Sequence, residues 1–555
     1  MIAFARTCAA LAATSGKLEK VAILAAYLRE LDDANLTAAA RFFTGNPFAA
    51  REQKQLSIGG RTIVEAARRV WGVTGAQLRA GYREYGDLGD ALGPHVREPV
   101  DPGLFRESLT PASLAVIFDE IADTSGKSAG KRRLHLCERI LRACRDPLEA
   151  TYVIKIMTGD LRIGLREGLV HDAVAAAFDV PLARIRHAVM IAGDVGEVAI
   201  GAKHGTLDAL RIRFGSPIGF MLASPIPYGE RYPDLDEHAW FAEDKYDGIR
   251  AQAHVAGGKV SLFSRTLNDV THSYPEIAEA LHAQPRRMML DGEIVAIRDG
   301  RVLPFRALQA RLQRKEIDAA LLAEVPLRYV VFDMMAVDDE FLLDRPLHER
   351  RSRLAHALLE SHHVCLAPFA RVDETDAATV NAAFEAARAR GNEGAMFKRT
   401  DAPYAPGRRG KWWLKLKREL TTLDVVVVAV EWGHGKRAKV LSDYTFAVRG
   451  PDDDLLTIGK AYSGLTDVEI ATLTPWFLEH RIDGRYGHAF AVEPEVVLEV
   501  AFDIVQKSTL HQSGYALRFP RIVRIRDDKP PSEIDTLARV DEIYTGMLAR
   551  ERGDR

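Results

Sequence analysis

Near residue 213 the hydrophobic period of this chain changes, and that change limits the possible folds more than any other feature. Before it, AAYLREL, RTIVEAARRVW, LAVIFDEIAD, LHLCERILRAC and HDAVAAAF place apolar residues three and four apart, the spacing of one buried helix face. After it, RAQAHVAGGKVSLFSR, MMLDGEIVAI and LRYVVFDMMAV read as strands, with LHERRSRLAHALLE and ATVNAAFEAARARG as helices between them. The join, SPIGFMLASPIPYGERYPDL, is rich in Pro and Gly and reads as an entry loop. A second change comes at TTLDVVVVAVEWGHG. Beyond it SDYTFAVRG, LLTIGKAYSG and EVVLEVAFDIV are short strands with Gly and Asp turns, the pattern of a small β-barrel, with the helix DVEIATLTPWFLEH among them. One core cannot hold 555 residues. The expectation is a multidomain chain: all-helical over 1–212, mixed α/β over 213–420, and a β-barrel over 421–555 with a closing helical tail.

The helical region repeats itself. ATSGKLEKVAILAAYLREL (13–31) parallels DTSGKSAGKRRLHLCERIL (123–141). ARFFTGNPF and YVIKIMTGDL align on Thr44-Gly45 and Thr158-Gly159, and LSIGGRTIVEAARRV parallels LRIGLREGLVHDAVAAAF. The offset, about 110 residues, is too long for a solenoid unit. It predicts a duplicated helical half, joined through LGPHVREPVDPG; the plain alternative is chance likeness among Ala-rich helices.

The formal net charge of -2 gives no sign of a nucleic-acid partner, so any basic surface must be local. The cysteines, Cys8, Cys137, Cys144 and Cys365, form no CxxC pair, which argues against a Cys-rich zinc site and for a reducing compartment. MIAFARTCAALAATSG is interrupted by Arg6 and runs into an amphipathic pattern, so it reads as a helix rather than a targeting segment. No apolar run has the length of a membrane span.

Chemistry concentrates in the middle region. EDKYDGIR sets Lys245 two residues before Asp247, with Gly248 and Arg250 next. A lysine becomes a nucleophile when desolvation or a nearby cation exposes its lone pair. Arg250 would be such a cation, or a phosphate ligand; a charged hairpin turn is the bland reading. By residue frequencies, KxDGxR arises by chance on the order of 0.01 times in a chain of this length. Arg265, after a strand, reads as a phosphate or ribose clamp, or as a surface arginine. Glu293 sits in an apolar strand with Asp291 on the same face and needs a partner such as a ribose hydroxyl, a metal or a lysine. Glu393, between glycines, has a similar setting. In WWLKLKRE, Lys415 and Lys417 share a strand face while Trp413, Leu414 and Leu416 help to pack it. Two lysines on one face predict a polyphosphate between them, or a guarded strand edge. Phe332 reads as core.

Taken in order, KYDGIR, FSRTLNDVT, LDGEIVA, LPFRALQARLQRK, LLDRPLHERR, EGAMFKR, WWLKLKRE and LRFPRIVRIRDDK resemble the motifs of ATP-dependent DNA ligases of the cellular type. MTGDLRIGL and ATSGKLEKVAILAAYL resemble that family's helical DNA-binding domain, so the likeness runs to about residue 533. It implies a helical DNA-binding domain, an adenylation (nucleotidyltransferase) domain and an OB-fold domain. It also implies ATP and Mg²⁺ as cofactors, nicked double-stranded DNA as partner, a monomer, and a cytoplasmic, nucleoid-associated location. Carried over by residue, Lys245 would take AMP onto its nitrogen, Glu243 would sit against the adenine and Phe332 would stack on it. Arg250, Arg265, Arg409, Lys415 and Lys417 would hold ribose and phosphates. Glu293 would contact ribose or metal, and Glu393 would be a second metal-facing acid. Arg526 and Lys529 would reach in from the OB-fold domain to orient pyrophosphate, with Arg518 of the same motif as a lesser candidate that would otherwise touch DNA or be structural. GKSAGKRR (126–133) and the helix start near LRIGLRE would offer donors to DNA phosphates, with a solvated loop as the alternative for the first. Within the same superfamily, an RNA ligase or guanylyltransferase is the alternative enzyme. An NAD-dependent ligase would bring a four-cysteine zinc module. A DNA-binding module without activity would not need the lysine and the acids.

Overall fold

The computed structural model describes residues 1–96, 108–211, 213–235, 238–298, 301–303, 305–312, 318–373, 375–407, 409–417, 421–434, 437–486 and 489–552. Contacts group the chain into two compact units, Met1–Gly72 with Gly93–Arg418, and Val73–Leu92 with Glu419–Arg555. The expected change of architecture at 213 is therefore a change within one unit. Residues 73–92, read with the helical region, group with the C-terminal residues; helical periodicity reports a helix, not the element it packs against.

The helices are α1 (Ile2–Ala13), α2 (Lys17–Arg29), α3 (Asp33–Phe43), α4 (Gly60–Trp71), α5 (Gly75–Tyr85), α6 (Leu88–Leu92), α7 (Pro111–Ala122), α8 (Ala129–Ala143), α9 (Pro147–Thr158), α10 (Glu167–Ala177), α11 (Leu182–Ala192) and α12 (Val195–His204). The duplication has a structural counterpart, and the halves exchange partners. With α1 to α4 matched to α7 to α10, α1 packs on α9 and α7 on α3, while α2 packs on α10 and α8 on α4. The backbone repeats too. Gly45 and Gly159 end the matched helices at φ +84° and +78°, where a side chain would be strained, and Ser57 and Arg162 take φ +47° and +54° at matched places in the next loop. A Cβ on Gly45 would stand 3.5 Å from the Gly159 carbonyl, so the two turns meet.

From the start of α8, Arg132 and Arg133 donate to the carbonyls of Ser125 (2.6 Å) and Thr124 (2.7 Å) in the loop before it, so half of the basic GKSAGKRR cluster braces its own turn. Cys8, Cys137 and Cys144 are buried thiols, and burial pushes Cys137 up to about 12, as expected of inert packing residues. Among the described residues no helix is long and apolar enough to cross a membrane.

The α/β part holds strands β1 (Leu222–Ile226), β2 (Trp240–Lys245), β3 (Ile249–Ala256), β4 (Lys259–Ser264), β5 (Met288–Arg298), β6 (Arg301–Val302), β7 (Leu327–Val337), β8 (Glu340–Phe341), β9 (Val364–Leu366), β10 (Phe369–Val372), β11 (Gly394–Arg399) and β12 (Arg409–Lys417). They make two sheets, one ordered β1-β12-β11-β2-β10 and one built on β4-β3-β5-β7-β8, with β6 on β5 and β9 on β7. The two-residue alternation of strands sorts the first sheet cleanly. Trp240, Ala242, Ala395, Phe397, Leu414 and Leu416 form one buried cluster on its outer face. The residues between them in β2, β11 and β12 point to the other face, where Phe332, Val330, Met289 and Val295 of the second sheet pack with Trp413. Burial of each such large side chain contributes about 1.5–3 kcal/mol.

The join from the helical region is fixed by buried polar groups of β3. The Gly215 N–H donates to His254 Nδ1 (2.9 Å), the Ile218 N–H donates to Gln252 Oε1 (2.9 Å), and the Gln252 amide donates back to the Ile218 carbonyl.

The second unit carries an antiparallel sheet centred on the strand Thr421–Trp432, which pairs with Leu441–Arg449, Ala489–Val492 and Val497–Phe502. Val425, Val427, Tyr444, Phe446, Leu498 and Phe502 lie in its core. The helix Asp467–Glu479 opens on a Thr466/Glu469 capping box.

Candidate active site

One cleft between the two sheets is lined by Glu243, Asp244, Lys245, Tyr246, Arg250, Arg265, Glu293, Phe332, Met396, Lys398, Trp413 and Lys415, with Leu222 and Ala223 of β1. Seven sequence-predicted residues thus converge: Lys245, Glu243, Arg250, Arg265, Glu293, Phe332 and Lys415. Strand register explains much of this. Glu243 stands opposite Met396, Met396 opposite Lys415, and Lys398 opposite Trp413, while Lys245 and Lys417 both stand opposite Gly394. A side chain on Gly394 would come 2.2 Å from the Leu416 carbonyl, so only glycine lets the strands carrying the two lysines close.

At the open end, Lys245 Nζ donates to the Glu393 carboxylate, and Lys417 Nζ lies 3.4 Å from its other oxygen. The Lys245 and Glu393 side chains are 19% and 31% exposed. Burial works to raise the Glu393 carboxyl, but Lys245 and Lys417 together hold it below its ordinary value. Arg265 is exposed, on the loop after β4. That loop is braced by Gln53 of the helical region, which donates to the Leu267 carbonyl (3.0 Å) and accepts from the Asp269 N–H (2.7 Å).

Arg250, expected on ribose and phosphate, lines the cleft and is held there by buried groups. Its Nε and Nη2 donate to Asp291 (3.0 and 2.6 Å) and its Nη1 to the Met221 carbonyl (2.7 Å). Asp291 is fully buried and also accepts from the Tyr404 hydroxyl (2.7 Å). Burial opposes the guanidinium charge, and Asp291 outweighs it, so the Arg250 pKa is raised. Arg250 holds the cleft floor, with its plane against Phe220, Trp413 and Phe332 at 4.8, 5.3 and 5.5 Å.

At the inner end, Lys398 Nζ donates to Glu243 Oε2 at 2.5 Å, with both side chains 2% exposed. The ammonium lies 3.9 Å from the Phe332 ring centre and 4.4 Å from that of Trp413. Glu243 Oε1 is buried with no hydrogen-bond partner among the described residues. Met396, Lys398 and Trp413 are among the lining residues that the sequence reading missed or gave to packing alone, as are Leu222, Ala223, Asp244 and Tyr246. Alternation from Lys415 would have placed Trp413 on the cleft face; Lys398 could be found only through its cross-strand register.

Glu293 has no hydrogen bond to a donor among the described residues. Burial pushes its carboxyl up to about 7, against the pull of Arg250 and Lys245. A carboxylate that lacks a donor beside a phosphate-sized cleft fits a hard divalent cation. Mg²⁺ in particular binds through one or two carboxylates plus substrate phosphates. Glu393 fits as a second oxygen donor once its lysines release it.

Arg526 and Lys529 lie in the second unit. There both donate to Asp424, Arg526 Nη1 at 2.8 Å to each oxygen and Lys529 Nζ at 2.7 Å, and Arg526 also grips Asp528. Arg518 ends the strand Tyr515–Arg518, its guanidinium 5.0 Å from the Phe519 ring centre. The side chain of Arg409 lies outside the described residues.

Comparison with known proteins extends these observations to the whole chain. Residues 1–175 match the family model for the DNA ligase N terminus, 220–417 that for the ATP dependent DNA ligase domain, and 437–529 that for the ATP dependent DNA ligase C terminal region. A probable DNA ligase of Koribacter versatilis is 46% identical, the alignment covering 98% of this chain and 96% of that one. A DNA ligase of Archaeoglobus fulgidus is 36% identical over 98% of both. A solved structure described as Pmar-Lig_Pre shares the fold at a TM-score of 0.59 and 16% identity, covering 94% of this chain and 99% of that one. With three consecutive ligase segments and full-length relatives at this identity, the chain belongs to the ATP-dependent DNA ligases.

Proposed function

We propose that Lys245 is the residue that carries AMP, and that the cleft between the sheets is where it is loaded. The observation that carries this reading is the convergence of Lys245, Glu393, Glu293, Arg265 and Lys415 around one opening, with an aromatic, acid-tipped end beyond them. ATP-dependent DNA ligases use ATP and Mg²⁺ to seal nicks in duplex DNA through an adenylate intermediate.

In the first step the Lys245 nitrogen attacks the α-phosphorus, a P–N bond forms, and the P–O bond to pyrophosphate breaks. An ammonium has no lone pair, so a proton must leave first, and the Glu393 carboxylate is already hydrogen-bonded to it. In the second step an oxygen of the DNA 5′-phosphate attacks the same phosphorus and the P–N bond breaks, returning the lysine. In the third, the 3′-hydroxyl oxygen attacks the activated 5′-phosphorus and AMP leaves. Each step is an in-line displacement that builds charge on non-bridging oxygens. Arg265, Arg409, Lys415 and Lys417 are the cations we assign to that charge, with Arg526 and Lys529 assigned to pyrophosphate after release from Asp424. Glu293 and Glu393 would hold Mg²⁺, which supplies further positive charge at the phosphates. Glu243 and Phe332 would take the adenine.

The three matched segments support reading 1–212 as the DNA-binding domain, 213–420 as the adenylation domain and 421–555 as the OB-fold domain. We read the enzyme as a cytoplasmic, nucleoid-associated monomer acting on nicked double-stranded DNA. The test is incubation with α-labelled ATP and Mg²⁺, then a chase with nicked duplex. Label should map to Lys245 and leave as the nick is sealed, and Lys245→Ala should take none. Label on another residue, or label retained in Lys245→Ala, would refute the assignment.

A further inference from the structure

Glu243 is an acid with half of its hydrogen bonding settled. Oε2 accepts from Lys398 at 2.5 Å, while Oε1 is buried on the wall of the cleft, without a partner among the described residues. A desolvated carboxylate oxygen that lacks a donor is costly, so whatever fills this end gains by bringing an N–H. The space beside it is bounded by Phe332, Met396 and Trp413, surfaces suited to the faces of a flat ring.

Lys398 decides what Glu243 can accept. Its ammonium is 2% exposed, and its other neighbours are the ring faces of Phe332 and Trp413, so it is fixed by the acid and by the two aromatics. We infer that Lys398 is a positioning residue for base selection: it holds Glu243 as an anion in one rotamer, so that Oε1 serves only as an acceptor. A purine with an amino group at its 6-position donates to Oε1. A purine with a 6-oxo group sets oxygen against oxygen and is rejected. Without Lys398, Glu243 would be a buried carboxylate with no counter-charge, a state relieved by taking up a proton. A protonated carboxyl also donates, and would accept a 6-oxo base. Besides Glu243, the charged groups that act on Lys398 include Arg351 and Asp333. The inference rests on the reading of the cleft as the ATP site.

The test compares adenylate with inosinate formation on the protein, using α-labelled ATP and ITP. For the unaltered enzyme we expect a preference for ATP of at least about 10²-fold, as a polar site rejects a mismatched partner. In Lys398→Met the preference should shrink at least tenfold, the KM for ATP rising more than kcat falls, and Lys398→Arg should restore much of it. Should Lys398→Met not fold, the unaltered enzyme with purine riboside triphosphate, which lacks any 6-substituent, gives the answer: its KM should exceed that of ATP by at least tenfold. Equal use of ATP and ITP by the unaltered enzyme, an undiminished preference in a folded Lys398→Met, or a purine riboside KM equal to that of ATP would each overturn the inference. Failure of ATP to label Lys245 at all would instead sink the reading of the cleft.

Discussion

Two lysine–glutamate pairs border the same cleft, Lys245 with Glu393 of the bend before β11 at the mouth, and Lys398 with Glu243 at the inner end. Chemistry and contact type are alike in the two. Burial is not: the mouth pair is 19% and 31% exposed, the inner pair 2% and 2%. Water at the mouth screens the attraction and lets either partner leave for a phosphate or a cation. At the inner end neither partner has anywhere to go, and separating them strands a charge between Phe332 and Trp413. The same pair of residue types is thus a reactive group in one place and a fixed wall in the other, and solvent access makes the difference.

Removing the acids separates the two cases most sharply. Glu243→Ala leaves the Lys398 ammonium buried alone and should cost about 3–5 kcal/mol of unfolding free energy. Glu393→Ala leaves Lys245 near water and should cost at most about 1 kcal/mol. Urea unfolding of both variants measures this, and equal losses would break the comparison. The pH dependence sharpens it. Burial holds the Lys398 pKa below its ordinary 10.5, with Glu243 opposing that shift. Without Glu243 the folded value drops further below the unfolded one. The proton is then held more tightly by the unfolded chain, so stability is greatest above 10.5 and is lost as pH falls towards the lowered folded value. The Glu243→Ala deficit should therefore deepen from pH 10 to pH 7, while that of Glu393→Ala should not.

His254 extends the comparison to a single buried base at the join. Desolvation lowers it from 6.5 to about 3, and the ring stays neutral, its Nδ1 accepting from Gly215 and its Nε2 bonded to Gln252 Oε1 at 2.8 Å. A folded pKa below the unfolded one gives stability that is present above 6.5 and is lost as pH falls towards 3. The slope approaches about 1.4 kcal/mol per pH unit. Between pH 6.5 and 5, before most carboxylates titrate, the unaltered protein should lose stability on this slope and His254→Phe should not. Parallel curves would show that water reaches this side of the sheet as it reaches the mouth.

Much of the site was legible because strand alternation and local motifs report which face a residue takes. Lys415 and Lys417 in WWLKLKRE, Glu293 beside Asp291, and Lys245 in KYDGIR are all local patterns. What was illegible depended on register across long separations. Lys398 lies next to Arg399 near the end of β11, where no local pattern marks its face. Only the pairing of β11 with β2, which sets Met396 opposite Glu243, turns it inward. The ion pair of Arg250 with Asp291 was illegible because Asp291 lies on another strand, with Gln252 rather than Arg250 opposite it. In the fold, the helical halves were legible from the repeated Thr-Gly turns, but not their exchange of partners, because packing between helices leaves no mark in a periodicity.

The smallest expected effect is at Lys417, and it tests whether the mouth is as yielding as the comparison requires. Its Nζ lies 3.4 Å from Glu393, with side chains 34% and 31% exposed, so Lys417→Ala should change unfolding free energy by no more than about 0.5 kcal/mol. Its effect on rate should be larger than that on stability. Lys417 shares the Glu393 carboxylate with Lys245. Without it, the whole of that acid's attraction falls on the Lys245 ammonium and works against release of the amine, and one cation is lost from the phosphate path. Single-turnover adenylate formation should slow about tenfold, which corresponds to about 1.4 kcal/mol in the barrier, with thermal unfolding unchanged. Added salt should narrow the gap between the two proteins, since an exposed charge is screened and a buried one is not. A stability loss above 1 kcal/mol with an unchanged rate would instead make the mouth pair part of the rigid frame, as the inner pair is, and the difference between the two ends of the cleft would then need a cause other than water.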